Sequence, residues 1–292
     1  MIKKLVLALA GLLVVLVGLV ACAPLTALTA ISPGADTRVA EGISYAPGPR
    51  NQLDVYAPPG ASGKSPVVLF IYGGNWVSGS RAEYAFVGRA LAARGFVAMV
   101  ADYRLYPQVS YPDFLDDVAQ AVAWTVKQAP RYGGDPQQLF VMGHSAGAYN
   151  AAMMALDPKW LAKVGLTPSV LRGWIGLAGP YDFLPVHNET TRPVFHYPNT
   201  PPESQPIKHV SAQAPAALLI APRKDDLVDP ARNTGALAAR LRAAGVPVRE
   251  RYYDNVGHIS LLVSLAAPAQ WLAPAMDEVA HFVGADGARQ GP

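Results

Sequence analysis

The chain has little cysteine and little charge. Of its 292 residues one is cysteine, 15% are charged and 51% are hydrophobic. A single cysteine cannot form an intrachain disulfide or a zinc site built from several cysteines. The low charge and high apolar content exclude an intrinsically disordered chain. A formal net charge of +3 gives no basic footprint for nucleic acid, so no nucleic-acid partner is expected.

The one long hydrophobic run lies at the start of the chain. Lys3 and Lys4 precede an uncharged apolar run over residues 5–21, a pattern typical of an export signal. The run ends in Leu19-Val20-Ala21-Cys22, which resembles the bacterial lipobox. That resemblance implies cleavage after residue 21 and lipidation of Cys22. An uncleaved anchor and a plain secretory signal with an incidental cysteine are the alternatives.

From residue 43 onward, predicted strands alternate with predicted helices. This alternation indicates an α/β fold, with a mostly parallel sheet covered by helices on both faces. Residues 183–214 are rich in Pro, His, Thr and Asn and break the rhythm, so we expect an insertion over the sheet's edge. The predicted strands are 43–45, 53–56, 67–72, 96–100, 139–142, 174–178, 216–220 and 248–253, and the predicted helices are 82–94, 113–129, 146–156, 231–244 and 269–283.

The pentapeptide Gly143-His144-Ser145-Ala146-Gly147 follows a predicted strand and opens a predicted helix. This is the G-x-S-x-G nucleophile elbow in the context that it requires. The tight turn needs glycine on both sides of the serine and lifts the Ser145 hydroxyl above the carboxyl edge of the sheet. The amide of Ala146 then points towards the position of an oxyanion. A structural turn with a bystander serine is the alternative.

A serine hydroxyl at its ordinary pKa needs a general base, and six histidines are available. His258 is the candidate base because it lies in a predicted loop after the last predicted strand. His144 belongs to the elbow and should point away from the serine hydroxyl. His281 falls on a predicted helix, and the other three histidines fall in the insertion, namely His187, His196 and His209.

The base needs a carboxylate to orient it, and in this fold the acid lies between nucleophile and base along the chain. The segment Ala221-Pro222-Arg223-Lys224-Asp225-Asp226-Leu227-Val228 resembles the H-G-x-x-D-x-x-V pattern of many members of the fold. Its register selects Asp225, with Asp226 as the second choice. Ala-Pro stands here in place of the usual His-Gly. Asp182 follows an earlier strand and is interpreted as a turn or insertion anchor.

The segment Tyr72-Gly73-Gly74-Asn75-Trp76 resembles the H-G-G-G-W loop of esterases, with Tyr for His and Asn for the third Gly. The resemblance implies that the amides of Gly74 and Asn75 form an oxyanion hole together with Ala146. Trp76 and Tyr149 are candidates for lining an apolar substrate pocket, with ordinary core packing as the alternative for each.

Together these segments resemble the esterase/lipase branch of the α/β-hydrolases. The resemblance runs from about residue 52 to residue 262 and is greatest to the carboxylesterase group that includes BD-FAE-like enzymes and isoprenylcysteine methylesterases. Besides the elbow and the Gly-Gly loop it is carried by the segments 53–56, 102–107 and 132–136. Asp102 precedes the nucleophile in the chain and is interpreted as structural.

The expected organisation is a signal peptide over 1–21, a lipidated tether over 22–42, an α/β-hydrolase catalytic domain over 43–284 and a tail over 285–292. Cleavage would lower the formal charge from +3 to +1, because it removes two lysines and no acid. Membrane association would therefore depend on lipid chains and not on a basic patch. Cell-envelope localisation is expected, and Ala23 after the cysteine mildly favours the outer membrane.

The resemblance implies a serine carboxylester hydrolase that acts on short-chain or aryl esters through an acyl-enzyme. It implies a small-molecule ester as partner and neither a metal nor an organic cofactor. An amide or formamide hydrolase would carry the same residues and is the first alternative. A non-catalytic envelope lipoprotein that kept the fold as a binding module is the second.

Overall fold

The computed structural model describes residues 24–284. The predicted signal peptide, Cys22 and the tail 285–292 lie outside the described residues. The described chain forms one eight-stranded sheet with the order β1-β2-β4-β3-β5-β6-β7-β8. Its strands are β1 Arg38–Ser44, β2 Gln52–Tyr56, β3 Ser65–Ile71, β4 Val97–Ala101, β5 Gly134–His144, β6 Leu171–Leu177, β7 Ala216–Pro222 and β8 Val248–Tyr253.

The sheet is mixed at one edge and parallel elsewhere. β1 pairs with β2 and β2 with β4 in antiparallel fashion, whereas all pairs from β4 through β3 to β8 are parallel. The central strands consist of consecutive apolar residues because both of their faces are covered, and residues 67–71 of β3 are fully buried. The predicted α/β class with a mostly parallel sheet is confirmed.

Helices pack on both faces of the sheet. They are α1 Pro24–Ile31, α2 Ala85–Ala93, α3 Asp113–Gln128, α4 Ala146–Leu156, α5 Pro158–Ala162, α6 Ala236–Ala243, α7 His258–Val263 and α8 Ala275–Val283. α4 begins and ends at the residues predicted. The helix predicted over 269–283 starts only at Ala275, because Pro274 lacks the amide hydrogen that a helix interior needs.

The segment predicted as a tether, residues 22–42, is part of the folded domain where it is described. Residues 38–42 belong to β1, and α1 lies against the region around α2. The Thr29 hydroxyl donates to the Glu83 carbonyl at 3.0 Å, and Arg89 donates to the carbonyls of Thr29 and Ser32 at 2.7 and 2.8 Å. These contacts join residues more than fifty positions apart, so the small-residue composition of the segment did not reveal them.

The insertion 183–214 covers the carboxyl edge of the sheet. It contains two short 3-10 helices, Pro202–Ser204 and Pro206–His209. Phe195 is fully buried and contacts the Trp76 ring edge-on, with 4.8 Å between ring centroids. The insertion is therefore packed against the loop that follows β3.

A buried ionic cluster holds both ends of that loop, residues 73–80. The Asp102 carboxylate accepts hydrogen bonds from the Tyr72 hydroxyl at 2.7 Å and from the amide and guanidinium of Arg81 at 2.7 and 2.6 Å. Arg50 donates to the Tyr72 hydroxyl at 2.6 Å and to the Gly79 carbonyl at 2.7 Å. These contacts agree with the structural interpretation of Asp102.

We expect Asp102→Asn to lower the free energy of unfolding by about 3 kcal/mol, because it removes the charge of one of the two buried carboxylates, Asp102 and Asp54, that pair with the partly buried Arg81 guanidinium. Urea denaturation at pH 7 measures the change. The matched control is Asp226→Asn at an exposed position, which should shift stability by less than about 0.5 kcal/mol. Equal urea midpoints for the two variants would contradict the role given to the cluster.

Candidate active site

Ser145 occupies a sharp turn between β5 and α4. Its backbone has φ 54° and ψ −123°, a conformation that side chains rarely adopt and that clusters at functional sites. A Cβ atom on Gly143 would overlap the Gly147 carbonyl, and one on Gly147 would overlap the Ile71 carbonyl of β3. Both glycines of the elbow are therefore required by close backbone approach.

His258 lies next to Ser145 and is the first residue of α7. Its Nε2 is 2.9 Å from the Ser145 Oγ, and its Nδ1 is 2.7 Å from the Asp225 Oδ2. The sequence pattern predicts a loop at this position. The structure instead begins a helix there, because the Ser260 hydroxyl accepts the Gly257 amide hydrogen at 2.8 Å and closes the first turn.

Asp225 completes a hydrogen-bonded chain of three side chains. Its Oδ1 accepts the amide hydrogens of Leu227 and Val228 at 2.9 and 3.0 Å. Burial alone would raise the pKa of Asp225, but the hydrogen bond from His258 and the two amides outweigh it and hold the pKa below its ordinary value. Asp226 points to solvent, so the structure brings Asp225 and not Asp226 to the histidine.

His144 faces away from the Ser145 hydroxyl and packs against His258, with 4.9 Å between ring centroids. Its Nε2 lies 3.0 Å from the backbone carbonyl oxygen of His258. Burial, together with the neighbouring His258, lowers the pKa of His144 to about 3. The ring is therefore neutral at pH 7, and its Nε2–H donates to the His258 carbonyl.

The three predicted oxyanion residues, Gly74, Asn75 and Ala146, line one cavity together with Ser145. Gly74, Asn75 and Trp76 all have positive φ, at 117°, 53° and 60°. Asn tolerates this conformation better than most residues, which explains why it can replace the third glycine of the motif. Within residues 24–284, the amides of Gly74, Asn75 and Ala146 have no protein hydrogen-bond acceptor.

The cavity above Ser145 has a volume of about 330 Å³. Trp76 lines it, and the indole Nε1 donates to the Asn150 Oδ1 at 3.1 Å. Tyr149, the other candidate pocket residue, does not line the cavity. It is fully buried behind Trp76, and its hydroxyl donates to the Ser204 carbonyl at 2.7 Å. Tyr149 packs edge-on against the Trp76 indole and supports it. Both rings belong to an aromatic cluster that continues into the insertion.

Two parts of the cavity wall are not predicted by the sequence. Arg232 and Asp182 form an ion pair with 3.4 Å between Nη2 and Oδ1, and both line the cavity. Leu25 of α1 also lines it. No motif marks Arg232 or Leu25, because each reaches the cavity through tertiary packing of a distant segment. The insertion supplies a further part of the wall, namely Phe183, Val186, His187, Asn188 and Thr191.

Over residues 24–284, no group of three or more His, Cys, Asp or Glu side chains is placed to hold a metal ion. Over the same residues, no helix is both long enough and apolar enough to cross a membrane.

The amino-acid sequence matches a known protein family and several named proteins. The family model BD-FAE matches residues 53–241. A protein of Oryza sativa named as a probable isoprenylcysteine alpha-carbonyl methylesterase is 35% identical over 149 residues, which cover 50% of this chain and 36% of that protein. Esterase LipC of Mycobacterium tuberculosis is 32% identical over 225 residues, which cover 69% of this chain and 54% of that protein.

Solved structures share the fold. A carbohydrate esterase from gut microbiota has a TM-score of 0.72 at 18% identity, covering 88% of this chain and 100% of that chain. Butyrate-bound Est2 of Thermogutta terrifontis has a TM-score of 0.68 at 23% identity, covering 89% of this chain and 97% of that chain. The predicted α/β-hydrolase fold is thereby confirmed.

The chain spans about half or less of the length of the two curated relatives described above. The match to the family model covers more than half of this chain and runs from β2 through the elbow to α6. The chain belongs to the BD-FAE family.

Proposed function

We propose that this protein is a serine carboxylester hydrolase with Ser145 as nucleophile, His258 as general base and Asp225 as orienting acid. The observation that supports this most strongly is the continuous chain of hydrogen bonds from the Ser145 Oγ through both ring nitrogens of His258 to the Asp225 carboxylate. The chain also belongs to a family, and its relatives include named esterases, which supports the same function.

In the first half-reaction, His258 Nε2 takes the Ser145 proton as Oγ attacks the ester carbonyl carbon. The carbonyl electrons move to oxygen, and the amides of Gly74, Asn75 and Ala146 donate to the resulting oxyanion. Asp225 holds the proton on His258 Nδ1 and stabilises the imidazolium. His258 then protonates the departing alcohol, which leaves an acyl group on Ser145.

In the second half-reaction, His258 removes a proton from water, and the hydroxide attacks the acyl carbon. The same amides stabilise the second oxyanion, and collapse of this intermediate returns the proton to Ser145 and releases the acid. His144 contributes by positioning the base, because its neutral ring donates to the His258 backbone carbonyl and packs against the His258 ring.

Short-chain or aryl esters fit the cavity. A volume of about 330 Å³ is at the small end for ligand sites. Trp76 and Phe183 provide aromatic surface beside Ser145, whereas the Asp182–Arg232 pair makes part of the wall polar. The similar Est2 structures were obtained with butyrate and with propionate bound, which supports acyl chains of a few carbons.

The cell envelope is the proposed location. The export signal over 1–21 and the lipobox-like end at Cys22 support a lipoprotein anchored by acyl chains, with its catalytic domain outside the cytoplasm and the outer membrane mildly favoured. Two acyl chains or more would give stable anchoring without a basic patch.

The esterase proposal is tested with p-nitrophenyl acetate and butyrate, using the full chain in a mild detergent. Ser145→Ala should lower kcat/KM by at least about 10³-fold, because the residual catalysis comes from the oxyanion hole and binding alone. Ser62→Ala, at an exposed position before β3, should keep the wild-type rate. Equal rates for wild type and Ser145→Ala would refute the proposal, and p-nitroanilides in parallel separate ester from amide preference.

The identity of the acid is tested by two adjacent variants in the same assay. Asp225→Asn should lower kcat by about 10²- to 10⁴-fold, because the amide stabilises the wrong histidine tautomer and not the imidazolium. Asp226→Asn should stay within about twofold of wild type, since that side chain is exposed. A large loss in Asp226→Asn alone would shift the assignment by one residue.

Because the His144 ring is neutral in the folded protein, the free energy of unfolding depends on pH. In the folded state its pKa is about 3, against an ordinary value of 6.5. Between these values the unfolded chain binds a proton that the folded chain does not, so stability falls as pH decreases, by up to about 1.4 kcal/mol per pH unit. His144→Gln keeps an N–H donor and removes this titration, so its urea midpoint should fall less than that of wild type between pH 6.5 and pH 4.

The matched control for this measurement is His281→Gln, on the exposed face of α8. That variant should follow the wild-type pH dependence. Parallel curves for wild type and His144→Gln would show that His144 is protonated without cost, contrary to its burial.

A further inference from the structure

Helix α1 forms part of the wall of the catalytic cavity. Leu25, near its start, lines the cavity together with Tyr84 and the triad residues Ser145 and His258. The helix is held in place by hydrogen bonds that join Thr29 to Glu83 and Arg89 to the last turn of α1. The point where the described chain begins is therefore fixed beside the cavity and not on the far side of the domain.

The covalent chain keeps the proposed lipid site close to this wall. Three peptide units separate Leu25 from Cys22. A fully extended chain covers at most about 11 Å over that distance. An acyl chain on Cys22, or the apolar run over residues 5–21 if it is retained, would therefore enter a bilayer near the cavity and cannot enter it at the opposite edge of the sheet.

The mouth of the cavity carries two large exposed apolar side chains, beside the exposed polar residues His187, Asn188 and Asp229. Leu227 is 62% exposed and Ile259 is 56% exposed, and both line the cavity. They follow the acid and the base of the triad, at Asp225 and His258. Ile31, at the end of α1, is 70% exposed but does not line the cavity. Large exposed apolar side chains grouped around a cavity mark an interaction surface.

The charge of the chain favours an uncharged apolar contact. After cleavage the formal charge would be +1, which gives no electrostatic attraction to anionic lipid headgroups. Association of this surface with a bilayer would instead come from burial of Leu227 and Ile259 in the interfacial region, which is about 5–10 Å deep.

We propose that the rim of the cavity, formed by α1, Leu227 and Ile259, docks on the surface of the phospholipid bilayer that holds the anchor. Ser145 then faces the membrane, and the substrates are amphiphilic esters that reach the cavity from the bilayer surface. This inference rests on the proposed anchor at the N-terminal segment, whereas the docking geometry does not depend on esterase activity.

The structure offers a control position at the opposite edge of the sheet. Trp271 is 82% exposed and does not line the cavity. Its neighbour Gln270 accepts a hydrogen bond from Arg94 at 3.1 Å, and Arg94 lies between α2 and the amino end of β4. Trp271 is therefore located at the amino edge of the sheet, whereas the cavity lies above the carboxyl edge.

The experiment uses the mature acylated protein, which begins at Cys22, in phosphatidylcholine vesicles, with one cysteine introduced per variant. Ile259→Cys, Leu227→Cys and Trp271→Cys each receive a nitroxide label, and the wild-type chain shows how far Cys22 is blocked by acylation. Collision with oxygen, which partitions into lipid, is compared with collision with a water-soluble nickel complex. We expect an oxygen-to-nickel ratio at least about fivefold higher at residues 259 and 227 than at residue 271.

Equal ratios at the three positions, a higher ratio at residue 271, or a chain that does not bind the vesicles would each overturn the proposal. Hydrolysis of p-nitrophenyl butyrate by the unlabelled protein is measured separately. Immersion of residue 259 without any hydrolysis would refute the proposed enzyme and leave the docking geometry standing. Hydrolysis without immersion of residue 259 would refute the docking geometry and leave the proposed enzyme standing.

Discussion

The close contact between the elbow at Ser145 and strand β3 constrains the rest of the site. Gly147 meets the Ile71 carbonyl so closely that no side chain fits there, and Ser145 takes a backbone conformation that isolated chains avoid. Packing of β5 and α4 against β3 provides the free energy that maintains this conformation. The serine hydroxyl is thereby presented at the carboxyl edge of the sheet, where the base, the acid and the oxyanion loop also lie.

Two sets of buried polar contacts keep these partners in position. The cluster around Asp102 holds the ends of the loop that carries Gly74 and Asn75, through Tyr72 at one end and Arg81 at the other. His144 holds the backbone of His258 from the side opposite the serine. The residues of the Asp102 cluster do not line the cavity, whereas His144 does. Both sets contribute by restricting the motion of the groups that carry the proposed chemistry.

The elements of the core were predictable because their signals are local. Continuous apolar runs identified the central strands, and the elbow motif identified the start of α4. Predictions failed where distant contacts decide the local structure. α1 depends on Arg89 and Glu83, which are far along the chain. The helix at His258 is different, because the Ser260 hydroxyl that closes its first turn is a local contact that the loop prediction overlooked. Tyr149 was a candidate for lining the pocket because it is aromatic and follows the elbow, but Trp76 and the insertion cover it.

The sequence by itself determined which residue types carry the proposed chemistry, because the elbow, the Asp225 register and the position of His258 are patterns of residue spacing. It also determined the near-neutral charge and the apolar N-terminal run. Only the tertiary structure decided that Asp225 and not Asp226 meets His258, that Arg232 and Leu25 belong to the cavity wall, and that α1 leads the chain to the cavity mouth. Those outcomes depend on packing between segments separated by tens to hundreds of residues, and local spacing carries no information about such packing.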